Sequence, residues 1–389
     1  MCNIRLVIIK CDLHLQIGLK CLSSSLQVVI WNQYPFKALP LDVQLDELVY
    51  LEMRNIKIEK LWNGTNFFRK LKHINLSDSN DLIESPDISG VSNLKELYLE
   101  HCTKLVKVHY SVGLHKKLEK MSFCGCLSLE TLPSKMEMCS LKYLNLSICT
   151  NLRRLPNFDE TMKCLSELYL KFCSNLVSLP NTISNLKSLK VLNITGCDTI
   201  DRLPTNINEN KALEDLDMNY TSIREIDSSL FHLENLKRLS FQGCSGPSYK
   251  PQCKLLTPLW NCWREIYQII NTESLILPRS ISNLSSLTSL DLRYCKLKSL
   301  PEDIGHLPSL ELLDLRGNVD LTLHLASIAN LSKLRVLSFD GNMNGSRTLL
   351  PTHVFIYLQD SSEDVSVVNG PKLWKLFKSY CNDDEHIEV

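Results

Sequence analysis

Seven of the sixteen cysteines, Cys102, Cys126, Cys149, Cys173, Cys197, Cys244 and Cys295, stand at steps of 23 or 24 residues that widen to 47 and 51 for the last two. Thiols so spaced could do three kinds of chemistry: ligate a soft metal as thiolates, close disulfides, or supply a nucleophile. The nearest approach to a ligand set is Cys102, Cys124, Cys126 and Cys149, but no C-x-x-C pair recurs with ligand spacing. A nucleophile would need a base and an orienting group, and no such constellation can be assembled from these residues. No G-x-x-x-x-G-K-[ST] loop is present to cradle phosphates. The regular spacing itself asks for an explanation in the elements that position the thiols.

Those elements repeat. The pattern L-x-x-L-x-L recurs with its first apolar residue at Ile4, Leu26, Leu48, Leu71, Leu94, Leu118, Leu141, Leu165, Leu189, Leu213, Leu236, Leu287, Leu310 and Leu334, and all but one of the steps are 22 to 24 residues. This is a leucine-rich repeat. In "LKVLNI" at 189–194 the alternation predicts a short strand with Leu192 and Ile194 inward and Val191, Asn193 and Thr195 outward. One copy cannot bury its own apolar edge, whereas stacked copies pair strand to strand in a parallel sheet at roughly 4.8 Å per copy. The expected fold is of the α/β class, a leucine-rich-repeat solenoid curved into a horseshoe. Its parallel sheet lies on the concave face, with loops, 3₁₀ turns and short helices on the convex side. Recurrent Leu-Pro pairs, among them Leu132-Pro133, Leu179-Pro180 and Leu300-Pro301, suit that return path, because proline presets φ and donates nothing to a ladder.

Each of the seven cysteines falls three residues after the last apolar position of its copy. That slot faces inward where the strand turns away, and a small, weakly donating thiol can fill it. Cys124 faces outward in the same frame, which breaks up the metal set. A column of like thiols, with no secretory signal before it, reads as a reduced core rather than as a disulfide ladder.

Outward strand positions form the continuous exposed surface on which binding is expected. They include Tyr50, Glu52, Arg54, His73, Glu96, Tyr98, Glu100, Tyr143, Glu167, Tyr169 and Lys171, and further along Asp215, Asp217, Arg238, Asp291, Arg293 and Arg316. Asn75, Lys120, Ser122, Asn145 and Asp314 share the same face. Tyrosines amid mixed charge suit a protein interface, with rings for contact area and charges for register. The stretch from Tyr50 to Lys171 is the richest.

Composition excludes several other classes. Lys plus Arg equals Asp plus Glu at 43 each, so no electrostatic footprint for nucleic acid or anionic lipid is present. No apolar run reaches the roughly 18 residues of a membrane span. The repeat region is expected over 1–343, with a capping segment and tail over 344–389 in which "GPKLWKLFKSY" reads as a short amphipathic helix. The step from Leu236 to Leu287 carries an excess at 245–272 that reads either as a loop or as a degenerate coil with Trp263 at its first apolar position. Met1 starts almost directly on a strand without a polar cap, so a fragment or truncated product is expected.

"YPFKALP" at 34–40, "IEKLWNGTNFFRKLKHINLSDSNDLIESPDISGVSNLKELYLE" from 58 onward, and the recurring L-x-x-L-x-L-x-x-C-x-x-L-x-x-L-P resemble the repeat region of plant intracellular immune receptors of the TIR-NB-LRR class. The resemblance covers roughly residues 3–343. It implies a module that recognises a pathogen effector or a host protein and restrains a nucleotide-binding module, in the cytoplasm or nucleus. ADP or ATP would belong to that module, which is absent here, so no cofactor, metal or catalytic residue is expected. Two other readings are a generic repeat scaffold or adaptor and an extracellular receptor. The latter would show asparagine in the cysteine slot, a G-x-I-P turn and paired capping cysteines.

Overall fold

The computed structural model describes residues 4–10, 24–36, 39, 45–62, 68–244 and 274–339, together with the backbone of strands at 342–344, 355–358 and 366–368. A single sixteen-stranded sheet runs through these residues, and its strands follow almost strictly in chain order. Every one of the fourteen copies supplies a strand that begins two residues after its first apolar position, from Leu6–Ile9 and Val28–Trp31 to Leu312–Asp314 and Val336–Phe339. Pairing is parallel and in register from copy to copy, so that Leu168, Leu192 and Leu216 stack as direct neighbours.

The periodicity puts one unbroken core inside the coils. Leu26, Leu48 and each later first position through Leu334 are fully buried, and they belong to one apolar cluster that ends at Phe339. Ile4 departs from the expectation. It is exposed together with Leu6 and Ile8, because its strand ends the sheet and has a neighbour on one side only.

The return path is short turns and brief helices. Among the described residues five 3₁₀ segments occupy it, at Asn181–Asn185, Ile207–Glu209, Ser228–His232, Arg279–Asn283 and Glu302–His306, with short α-turns at Tyr110–Gly113 and Leu325–Ile328. Pro180, Pro278 and Pro301 stand immediately before three of them, where a fixed φ and a missing donor cost nothing. Two-stranded parallel pairs, such as Lys135–Met136 with Asn157–Phe158, also tie neighbouring returns.

Strand Arg238–Ser240 pairs directly with Ser289–Asp291. The excess at 245–272, read as a loop or as a degenerate coil on Trp263, lies outside the described residues. Beyond residue 343 the sheet continues. Val336–Phe339 pairs in parallel with Phe355–Leu358, which in turn pairs antiparallel with Ser366–Val368. The expected helix at 370–380 lies outside the described residues.

Candidate recognition face

The turn at the end of each strand fixes how the exposed face is presented, and it uses three positions within five residues. An Asn or Asp at the outward end of the strand accepts the backbone N–H two residues on: Asn75 from Ser77 at 3.0 Å, Asn145 from Ser147 at 2.9 Å, Asn193 from Thr195 at 3.0 Å and Asp217 from Asn219 at 3.1 Å. This Asx turn bends the chain out of the sheet. The next residue but two is left-handed in copy after copy, including Asn55, Asp78, His101, Ile148, Phe172, Tyr220 and Tyr294 as well as Gly196 and Gly317. Its reward is an N–H aimed at the following copy. Ile148 donates to the carbonyl of Lys171, Phe172 to that of Thr195 at 2.7 Å and Tyr220 to that of Gln242 at 2.7 Å.

The thiol slot follows. Every ladder cysteine is fully buried and free, and donates its S–H backward to the last apolar residue of the preceding copy. Cys126 reaches the Leu99 carbonyl at 3.0 Å, Cys173 that of Leu146 at 3.1 Å, Cys197 that of Leu170 at 3.0 Å and Cys244 that of Met218 at 2.9 Å. Burial pushes Cys244 up to about 12 and Cys197 and Cys295 well above the ordinary thiol range, so these groups stay protonated. Tyr34 and Ile56 fill the slot in two early copies, and in three others a polar side chain holds it. Ser79 and Thr221 are buried there, and Asn318 makes four bonds: to the Leu292 carbonyl at 2.9 Å, to that of Leu315 at 2.7 Å, and from the N–H groups of Cys295 at 3.1 Å and Leu297 at 3.0 Å.

With the backbone so held, the outward side chains form rows across the strands. One row runs Tyr50, His73, Glu96, Lys120, Tyr143, Glu167 and the next Glu52, Asn75, Tyr98, Ser122, Asn145, Tyr169. The rings meet. His73 stacks on Tyr50 with centroids 4.1 Å apart and planes at 4°, and tilts against Tyr98 at 5.4 Å, while Tyr143 and Tyr169 meet at 5.6 Å. His73 Nδ1 is 2.9 Å from Glu96, and its buried Nε2 has no hydrogen-bond partner among the described residues. The Tyr50 hydroxyl donates to Glu52 at 2.9 Å, that of Tyr169 to Glu167 at 3.1 Å, and Ser122 Oγ to Glu100 at 2.6 Å. Burial first and the adjacent carboxylates second push the Tyr50 and Tyr98 phenols up to about 12, and Tyr169 rises for the same reasons.

The structure thus brings Tyr50, Glu52, His73, Glu96, Tyr98, Glu100, Tyr143, Glu167, Tyr169 and Lys171 onto one half-buried surface. Arg54 stands at its edge, held by Asp78 at 2.7 Å. The other expected residues are more occupied with the fold. Asp215 pairs with Arg238. Asp217 is an Asx-turn acceptor, and burial pushes its carboxyl up to about 6. Asp291 and Arg293 pair within one copy at 2.7 Å, as do Asp314 and Arg316 at 2.6 Å. Ser122, Asn193 and Asp314 sit on outward positions and are nonetheless buried, because neighbouring side chains on the face close over them.

Simple strand alternation does not reveal the left-handed column. Its rings lie over the glycine of the next copy: a Cβ added at Gly196 would sit 2.2 Å from Phe172, at Gly243 2.6 Å from Tyr220 and at Gly317 2.0 Å from Tyr294. Gly125, Gly196, Gly243 and Gly317 recur at one offset from the first apolar position, and that recurrence is the signal by which the column could be found.

A parallel sheet of stacked, in-register strands, with brief turns on its return side and an inward slot per coil, defines a leucine-rich-repeat solenoid. A family model described as leucine rich repeat matches residues 274–319 and 285–343. The fold is also that of a chain in the Drosophila Toll–Spatzle complex, with a TM-score of 0.57 and 16% identity over 89% of this chain and 47% of that one. The repeats are homologous to those of plant disease resistance proteins. TMV resistance protein N of Nicotiana glutinosa is 30% identical over 325 residues, 83% of this chain and 22% of its own length. Disease resistance protein RPP4 of Arabidopsis thaliana is 40% identical over 139 residues, 36% of this chain and 12% of its own length. The chain therefore spans about a fifth or less of the relatives it matches. Among the described residues no helix is long and apolar enough to cross a membrane.

Proposed function

We propose that the chain is the protein-recognition module of a plant immune receptor, acting in the cytoplasm or nucleus. It senses a pathogen effector or a host protein and holds back a nucleotide-binding module carried elsewhere in such a receptor. The observation that carries this reading is the aromatic surface from Tyr50 to Lys171, whose rings are half-buried and packed on one another on a rigid sheet. Rings held in this way contribute contact area with little side-chain entropy left to lose on binding. The homology to disease resistance proteins supports the immune setting.

The test replaces Tyr98, Tyr143 and Tyr169 together by alanine, in these repeats joined to a nucleotide-binding module of the same receptor class. The expected result is loss of ligand-triggered cell death at normal protein accumulation, since each anchor contributes roughly 1–3 kcal/mol. A variant that accumulates normally and still responds refutes the assignment of recognition to this face.

A further inference from the structure

The two halves of the exposed face balance their carboxylates differently. On strands Ser289–Asp291 and Leu312–Asp314 each acid has its own cation: Arg293 lies 2.7 Å from Asp291 and Arg316 lies 2.6 Å from Asp314. In the tyrosine half, Glu52, Glu100 and Glu167 are met by the hydroxyls of Tyr50, Ser122 and Tyr169. A hydroxyl orients a carboxylate and leaves its charge in place. Arg54 is bound to Asp78 and Lys120 is 3.5 Å from Glu96, and among the described residues no ion pair joins a cation to Glu52, Glu100 or Glu167.

Three uncancelled carboxylates therefore stand beside half-buried rings. An acidic or apolar partner would strip water from them and offer nothing in return, which is unfavourable for any carboxylate. A guanidinium or ammonium would satisfy both features at once, with its charge on the carboxylate and its stem or plane against the ring face.

We propose that this surface takes a basic segment of a protein partner, whose arginine or lysine side chains lie against Tyr50, Tyr98 and Tyr169 with their charged ends at Glu52, Glu100 and Glu167. The inference rests on the recognition reading above and adds the partner's chemistry to it. Glu52 and Glu100 are two copies apart, and Glu100 and Glu167 three, so the acids are stepped by roughly 10 and 14 Å across the strands, and Glu167, Glu52 and Glu100 stand two, four and six positions after the first apolar residue of their copies, which spreads them over the width of the face.

The probe is a synthetic arginine-glycine-serine peptide, with a glutamate-glycine-serine peptide of equal length beside it, titrated into the full chain by calorimetry at low and at physiological ionic strength. The arginine peptide should bind and weaken with salt, and the glutamate peptide should not bind. E52Q, E100Q and E167Q together should weaken it at least about tenfold. An equal change of net charge through E130Q, E160Q and E234Q, all exposed away from this face, should leave binding within about twofold. Failure of the arginine peptide to bind, equal binding of both peptides, or equal loss in the two triple variants overturns the inference. Should peptide binding be lost on alanine replacement of the tyrosines but not on replacement of the glutamates, the face stands as a recognition surface and the basic partner falls.

Discussion

Gly196→Ala tests whether ring and glycine form one unit across neighbouring copies. Gly196 sits at φ +72°, and a Cβ there would lie 2.2 Å from Phe172 Cδ1 and 2.6 Å from Cε1. Two costs follow. A left-handed alanine loses about 1–2 kcal/mol against glycine whatever its surroundings. The ring must also move, since a 2.2 Å contact is impossible, and displacing a packed aromatic costs about another 1–3 kcal/mol. The expected destabilisation is about 2–5 kcal/mol in denaturant melts followed by circular dichroism. In a Phe172→Ala background the ring is gone, and Gly196→Ala should cost only the first part, about 1–2 kcal/mol. The coupling read from the double-mutant cycle should therefore be about 1–3 kcal/mol. Equal costs in the two backgrounds would refute the reasoning, because the ring would then have no part in demanding glycine.

Four further outcomes are expected. Leu192→Asp puts an unpaired carboxylate between stacked coils and should remove several kcal/mol, lowering or abolishing the melting transition; an unchanged melt would contradict the register. Asn318→Cys keeps a donor for one carbonyl and gives up the other bonds that Asn318 makes, so a melt should show a loss of about 1–3 kcal/mol. The ladder thiols should label with a thiol reagent in denaturant and barely in the native protein, counted by mass, because burial keeps them protonated. Burial lifts Asp217 from 3.8 to about 6, so its folded form binds the proton more tightly. Its contribution to stability is complete below pH 3.8 and is lost as pH rises through about 6. Asp217→Asn keeps the acceptor for Asn219, should flatten that pH dependence, and should raise stability at pH 7 by about 1–2 kcal/mol.

The repeat could be read in the sequence to the residue: each strand starts two positions after the leucine that the pattern marks, and Leu192 and Ile194 are buried as alternation requires. The cysteine slot was equally legible, because a side chain of one type recurs at one offset. The turn was not. Phe172, Tyr220 and Ile148 run against local preference by being left-handed, and what holds them there is a bond to a copy more than twenty residues away. The face was half legible. Alternation places Asp291 and Asp314 outward beside Tyr98, but only geometry shows that Arg293 and Arg316 already engage them. Ser122 and Asn193 look exposed in a one-strand view, and the strands on either side bury them.

The alternation of ring and glycine also bears on how such a chain can lengthen or shorten. From Phe172 onward ring and glycine alternate, Phe172 before Gly196, Tyr220 before Gly243 and Tyr294 before Gly317, so over these six coils the structural grammar is a doublet. Excising residues 189–212, a single copy, would bring Phe172 up against Tyr220, ring upon ring. Excising 189–235, two copies, would set Phe172 over Gly243 and restore the fit. Recombination among these repeats is thus tolerated most easily in steps of two, and a soluble-yield comparison of the two deletions would register the difference.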